Sequence, residues 1–238
     1  MADDIILLCE AEEAAALVPV LSRVAPDAGP GNHLSVVHTL EMLKDAVGAS
    51  STRKRLIAFC TPVIVPLEIL QAVNWPAYNF HPGPPSYPGI FPSVFAIYNR
   101  AGKFGVTAHV MAENTDDGPI VGVDWMDMPD GIDRLSLDMQ SHRMIHSLFA
   151  RLAPEMVAGT EPLAHDDKIA WGPRTYTRKD FEALLDVPVQ TSAEEFALRL
   201  RAVGEGPDHA LTVTLHGRRF RLVTEAGGVV VKGGTRIG

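Results

Sequence analysis

Asn79, His81 and Asp116 bring an amide, an imidazole and a carboxylate to one stretch of chain, the groups that acyl transfer to an amine requires. Asn79 and His81 stand two apart, where an apolar segment runs into Pro82-Gly83-Pro84-Pro85-Ser86-Tyr87-Pro88-Gly89. Side chains two apart leave one face of a strand, so a strand over 74–81 makes them converge. The prolines that follow cannot donate to a ladder, and the strand has to stop there. Taken singly, an Asn before such a loop also serves as a turn former, and a lone His as a structural residue. A second segment supplies the matching acid: Gly105-Val106-Thr107-Ala108-His109 leads into Asp116-Asp117-Gly118-Pro119-Ile120.

The surrounding pattern alternates strand and helix. Short apolar runs over 4–9, 34–38, 55–60 and 78–81 read as strands, and 10–24, 39–47 and 67–73 as the helices between them. Pro26 and Gly29-Pro30-Gly31 stop the first helix. Such alternation implies an α/β fold with a mostly parallel sheet covered on both faces. Ligand sites in such sheets lie at strand ends, where Asn79 and His81 fall. No Gly-x-Gly-x-x-Gly follows the first strand, which argues against a dinucleotide site despite the Rossmann-like order.

Further along, 92–99 reads as a helix, and 104–111 with 119–126 as a hairpin whose turn carries Asp116. Residues 135–157 form a long amphipathic helix closed by Gly159. Asp138, His142 and His146 recur along it every four residues, a spacing that suits a metal. The third ligand and general base of a helix-borne zinc site are missing, so no metal is expected. From about 161 the texture changes to short helices at 179–185 and 193–202, then a hairpin of 211–215 and 218–223 around His216-Gly217. A third strand at 229–232 and a frayed tail from Gly233 complete a small α+β appendage.

With 238 residues, 46% hydrophobic and 21% charged, the chain suits a soluble catalytic domain, 1–160, and a small subdomain, 161–238. The net charge of −8 argues against a general polyanion binder. Met1-Ala2-Asp3-Asp4 is acidic where a secretory leader is basic, and the apolar run from Leu56 to Leu70 is broken by Pro62 and Pro66. Cys9 and Cys60 lie in apolar surroundings without a Cys-x-x-Cys and read as reduced core thiols. The expectation is a cytoplasmic protein without membrane contact.

Asn79-x-His81-Pro82, Gly-Val-Thr-x-His at 105–109 and Asp116-x-Gly118-x-Ile120 together resemble the formyltransferases that use 10-formyltetrahydrofolate. That family includes phosphoribosylglycinamide, methionyl-tRNA and nucleotide-sugar formyltransferases and the related formyltetrahydrofolate hydrolases. The stretch Thr61 to Leu70 is similar to the family's pterin-side loop. The likeness is good over 55–160, loose over 1–50, where one strand–helix unit is missing, and weak beyond. It implies a Rossmann-like formyltransferase domain with Asn79, His81 and Asp116 as the catalytic groups. Backbone of Val63, Ile64 and Val65 and the segment Ala112, Glu113 to Asp116 would hold the folate, with His109 and Thr107 in support. The family's Asp-x-Gly selects Asp116 over its neighbour Asp117.

Two departures bear on the acceptor. His81 reaches Gly89 one residue sooner than in the family, and Pro88 replaces an Arg. Such short His-Pro-Gly-Pro-Pro loops also occur in formyltransferase-like domains of hydrogenase-maturation proteins. Over 185–238, seven Lys and Arg against six Asp and Glu give +1, a poor tRNA platform. The leading expectation is transfer of formyl from 10-formyltetrahydrofolate to a primary amine of a small molecule, a nucleotide-linked amino sugar first. Trp171, Arg174 and Tyr176 would offer it stacking and charge. A methionyl-tRNA formyltransferase with a reduced tRNA domain, a 10-formyltetrahydrofolate hydrolase, and a folate-binding module without turnover stand as alternatives, and a homo-oligomer is left open.

Overall fold

A computed structural model of the chain describes residues 4–25, 34–49, 53–204, 206, 209–225 and 228–232. The expected stop at Pro26 to Gly31 and the tail from Gly233 lie outside them. Sixteen elements follow in order: β1 (Asp4–Leu8), α1 (Ala11–Val24), β2 (Leu34–Val37), α2 (Leu40–Gly48), β3 (Lys54–Phe59), α3 (Leu67–Ala72), β4 (Tyr78–His81) and α4 (Pro92–Tyr98). They continue with β5 (Lys103–Val110), β6 (Ile120–Asp127), α5 (Arg134–Ala158), α6 (Arg178–Leu185), α7 (Ala193–Val203), β7 (Thr212–Leu215), β8 (Arg218–Glu225) and β9 (Gly228–Lys232). The elements read from the sequence are all present, with ends shifted by a residue or two, as helix fraying and local turns allow. Cys60 is one such shift: it leaves β3 with φ 46°, turning the chain out of the sheet.

The chain divides into two compact units: residues 1–88, 105–125 and 141–173, and residues 89–104, 126–140 and 174–238. The first contains the strands that carry the site. The six-stranded sheet has the order β2-β1-β3-β4-β5-β6. β1 is parallel to β2 and β3, and β3 to β4, while β5 runs antiparallel to β4.

Alternation along these strands builds two cores. Ile5, Leu7, Ile57, Phe59, Tyr78 and Phe80 point to one face, against Leu17 and Leu21 of α1 and Ile145, Leu148 and Phe149 of α5. Ile6, Leu8, Leu56 and Ala58 point to the other, against Leu43 of α2 and Ile69 of α3. Burial on both faces explains why the strands read as continuous apolar runs. Phe149 meets the rings of Phe59 and Phe80 edge-on at 5.6 and 5.1 Å, contacts worth about 1 kcal/mol each beyond their buried area.

The largest fully buried polar side chain in this unit is an arginine. Arg55 on β3 is fully buried, under the rings of Trp75 (4.7 Å) and Tyr78 (5.4 Å). It donates to the carbonyl of Pro76 (2.9 Å) and to that of Gly159, just past the end of α5. Burial lowers its pKa against the pull of Tyr78.

In the second unit Phe91 packs on Phe181 at 4.2 Å and Tyr176 stacks on Phe95 at 4.1 Å. A capping box between Thr177 and Asp180 starts α6, and the Ser192 hydroxyl caps α7. Arg199 gathers the carbonyls of Ala183, Leu184 and Asp186 at the end of α6. The strands β7, β8 and β9 form an antiparallel sheet. Its first turn is the expected His216-Gly217, both at positive φ (49° and 69°), which suits a two-residue hairpin. Among the described residues no helix is long and apolar enough to cross a membrane.

Candidate active site

Register on the sheet assembles the site. β4 and β5 pair so that Asn79 stands opposite His109 and His81 opposite Thr107. Because Tyr78, Phe80, Val106 and Ala108 go to the α1/α5 core, these four polar residues share the other face. His81, Thr107 and His109 are 4%, 0% and 2% exposed, and Asp116 is 5% exposed. The loop after β5 returns Asp116 to this group, with the aspartate at φ 49°. That left-handed conformation costs a non-glycine residue about 1 kcal/mol.

Asp116 is the hub. Its Oδ2 lies 3.2 Å from His81 Nδ1 and its Oδ1 3.3 Å from His109 Nε2. Asn79 Nδ2 donates to Asp116 Oδ1 at 3.4 Å and lies 3.1 Å from His109 Nε2. His109 Nδ1 lies 3.0 Å from the carbonyl of Val110, so that nitrogen carries the hydrogen and Nε2 is free to accept from Asn79. His81 Nε2 lies 3.0 Å from the carbonyl of Tyr87 and must donate to it. Both nitrogens of His81 therefore face acceptors, and one proton has to lie between Nδ1 and Asp116. Burial pushes the His81 imidazole below its ordinary pKa, and His109 adds to this; Asp116 and the Tyr87 carbonyl pull the other way.

The backbone around the hub is locked. A Cβ on Gly118 would stand 1.9 Å from the carbonyl oxygen of Val110, so only glycine fits. Thr107 Oγ1 donates to the Gly83 carbonyl (2.8 Å), and Ser141 Oγ to that of Pro82 (2.8 Å), fixing the start of the proline loop. Asp117, by contrast, is exposed and accepts from Asn114 within its own turn. The expected folate segments meet on one apolar cluster: Val65 and Ile69 are buried in it, and Val63 and Met111 pack against it. Ile64 stands 65% exposed beside them, and Ala112 and Glu113 lead from Met111 toward Asp116.

Trp171 joins the site, 62 residues beyond His109 in sequence. Its indole nitrogen donates to the Gly118 carbonyl at 2.8 Å, and its ring meets His109 and His81 edge-on at 5.0 and 5.9 Å. It was expected among acceptor-stacking residues, and its ring stands edge-on to both histidines. In the second unit Arg174 pairs with Asp180 and lies 5.0 Å over the Tyr176 ring, which also stacks on Phe95 and accepts from Asn99 at its hydroxyl. Asp138, which shares its helical spacing with His142 and His146, bonds Ser93 and Arg134.

Residues 43–149 match the model of the formyl transferase family. Among solved structures, a 4-N formyltransferase from Francisella tularensis aligns with TM-score 0.70 at 16% identity, over 96% of this chain and all of that one. A sugar N-formyltransferase from a Shewanella species aligns with TM-score 0.68 at 18% identity over 99% of each chain. An N-formyltransferase from Helicobacter canadensis, solved with folinic acid and dTDP-3-aminofucose, aligns with TM-score 0.62 at 16% identity over 96% of this chain and 90% of that one. No curated protein sequence matches the chain. At these identities the structural likeness establishes the shared fold. The stretch matched to the family model holds Asn79, His81, His109 and Asp116 in order, and over residues 43–149 the chain is similar to the formyl transferase family.

Proposed function

We propose that the protein transfers a formyl group from 10-formyltetrahydrofolate to a primary amine of a small molecule, with a nucleotide-linked amino sugar as the acceptor class. The observation that carries the reading is the buried cluster of Asn79, His81, His109 and Asp116 around one carboxylate, built on adjacent strands of the family's fold. The sugar N-formyltransferases that share this fold support the acceptor class. The reading places the protein in the cytoplasm, where reduced folates are used, and treats 161–238 as an appendage to the catalytic part.

The residues at hand suit a folate. Val63, Val65 and Met111 give an apolar wall, Ile64 an exposed edge, and the backbone of 63–65 and 112–116 the polar groups to read a heterocycle. When bound, 10-formyltetrahydrofolate supplies the formyl carbon. The chain's own groups serve the charge and the proton. The Asn79 amide exchanges its long 3.4 Å contact with Asp116 for an anionic oxygen, a contact worth about 3–4 kcal/mol when preorganised. His81 and Asp116 form one acid–base pair, and such a pair takes a proton from the amine nitrogen as it attacks the formyl carbon and returns it to the leaving folate nitrogen. His109 orients the Asn79 amide by accepting from it at Nε2. In balance, the amine gains CHO and loses H, and the folate nitrogen gains that H.

Mass spectrometry tests this directly. Incubation with 10-formyltetrahydrofolate and dTDP-linked 3-amino and 4-amino sugars should add one formyl mass to at least one sugar. Donor consumption at the same rate without any amine would establish a hydrolase and overturn the proposal.

A further inference from the structure

Away from the folate site, the same structural unit brings two histidines and a glutamate to one point. His142 and His146 stand one turn apart on α5, and Glu13 reaches them from the first turn of α1. Glu13 Oε1 lies 2.8 Å from His142 Nε2, and Oε2 lies 2.7 Å from His146 Nε2. The two Nε2 atoms are 3.2 Å apart, with the rings tilted at 58°. All the candidate donor atoms fall within 4.8 Å of one another.

The nitrogen spacing is informative. Both imidazole nitrogens converge on one carboxylate and lie within hydrogen-bond distance of each other. A zinc ion bound at 2.0–2.1 Å by nitrogen in tetrahedral geometry sets its ligand atoms about 3.3 Å apart. The His pair is therefore already at ligand separation, and the carboxylate needs to withdraw by only about half an ångström from each nitrogen. The His146 ring is held in place against Phe59 at 4.8 Å. His146 and Glu13 side chains are 22% and 18% exposed, whereas that of His142 is 53% exposed, which leaves the point open to solvent on one side. Two imidazoles and a carboxylate select a first-row transition ion over Mg²⁺ or Ca²⁺, which prefer oxygen donors. Cys9 and Cys60 lie near enough to feel Glu13, but burial and that charge push both thiols up, Cys9 to about 11, and keep them protonated.

We propose that Glu13, His142 and His146 bind a divalent transition-metal ion of the zinc class, with an open coordination position, which ties α5 to the start of α1. Asp138, on the same helix one turn before His142, takes no part because it is held by Ser93 and Arg134.

Calorimetry on the tag-free, chelator-stripped full chain should show one Zn²⁺ bound per chain and no heat with MgCl₂. Replacing the ion by Co²⁺ should give the visible absorption of a low-coordinate site. His142→Ala, His146→Ala and Glu13→Gln should each weaken Zn²⁺ binding at least about tenfold. Asp138→Asn should leave it unchanged. Circular dichroism checks that each variant is folded, and His142, being exposed, is the safest of the three to replace. Zn²⁺ uptake by a folded His142→Ala/His146→Ala double variant equal to that of the parent would overturn the proposal. So would equal binding of Mg²⁺, or no Zn²⁺ binding by the parent.

Discussion

Asp116 Oδ2 and His81 Nδ1 are 3.2 Å apart in a space where both side chains are almost fully buried, and His81 has no other nitrogen to spare. A carboxylate and an imidazole in that arrangement act as one acid–base unit, and what is done to either is felt by both.

Asp116→Asn should lower turnover at least about a hundredfold with little change in fold, because the amide keeps the shape but cannot share the proton. Asp117→Asn should be nearly silent, since Asp117 is exposed and accepts from Asn114 within its own turn. Steady-state kinetics on the two variants checks this. Greater damage from Asp117→Asn would mean that the wrong aspartate has been placed in the hub.

The depressed pKa of His81 has a consequence for stability. The folded protein holds His81 less protonated than the unfolded chain does, whose histidine titrates near 6.5. Below about that pH the unfolded state binds the extra proton, so stability falls as pH falls. Above it the full contribution is present. Urea denaturation of the parent and of His81→Gln from pH 8 to 5 should show the parent losing stability more steeply below about 6.5. Parallel curves would place the sensitivity elsewhere.

Gly118→Ala has no room. The added methyl would meet the Val110 carbonyl at 1.9 Å, and the turn bearing Asp116 would have to move. We expect a loss of about 3 kcal/mol or more, at the upper end of single-residue effects, together with loss of activity. A variant of unchanged stability and turnover would contradict the close approach.

Arg55→Leu keeps the apolar contact with Trp75 and Tyr78 but strands the carbonyls of Pro76 and Gly159. Each unpaired buried group costs roughly 1–3 kcal/mol, so the change should destabilise by about 3 kcal/mol in chemical denaturation. Partial rescue by Arg55→Lys would show that the charge and one donor suffice.

A stable folate should protect the protein against heat. At a hundred times its dissociation constant, 5-formyltetrahydrofolate should add about 2.7 kcal/mol, and NAD nothing. Ile64→Asp, at the exposed edge of the apolar wall, should weaken this shift. A dinucleotide shift without a folate shift would overturn the proposed donor.

Sheet and site were legible where local pattern and register coincide. The alternation of Tyr78, Asn79, Phe80 and His81 gives the face, and the antiparallel return of Thr107 and His109 follows from the second motif. Trp171 was legible as an aromatic but not as a lid, because its partner, the Gly118 carbonyl, carries no side-chain signature. Arg55 sits in an apolar strand pattern and is satisfied by backbone oxygens, which sequence does not mark. Helical periodicity put Asp138 with His142 and His146. It gives the spacing along one helix but not the neighbour across from it, and that neighbour is Glu13. The same limit applies to Arg174, whose partner Asp180 is set by the capping box of α6.

The chain has three tryptophans, and each lies in a different setting. Trp75 is buried beside Arg55, Trp125 is about half exposed, and Trp171 stands edge-on to two imidazoles. Protonated imidazole quenches indole emission, so the fluorescence of Trp171 reports directly on the charge state of the histidines beneath it. With Trp75 and Trp125 replaced by phenylalanine, a simple optical titration would follow proton movement in the site in real time, with no label and no coupled assay.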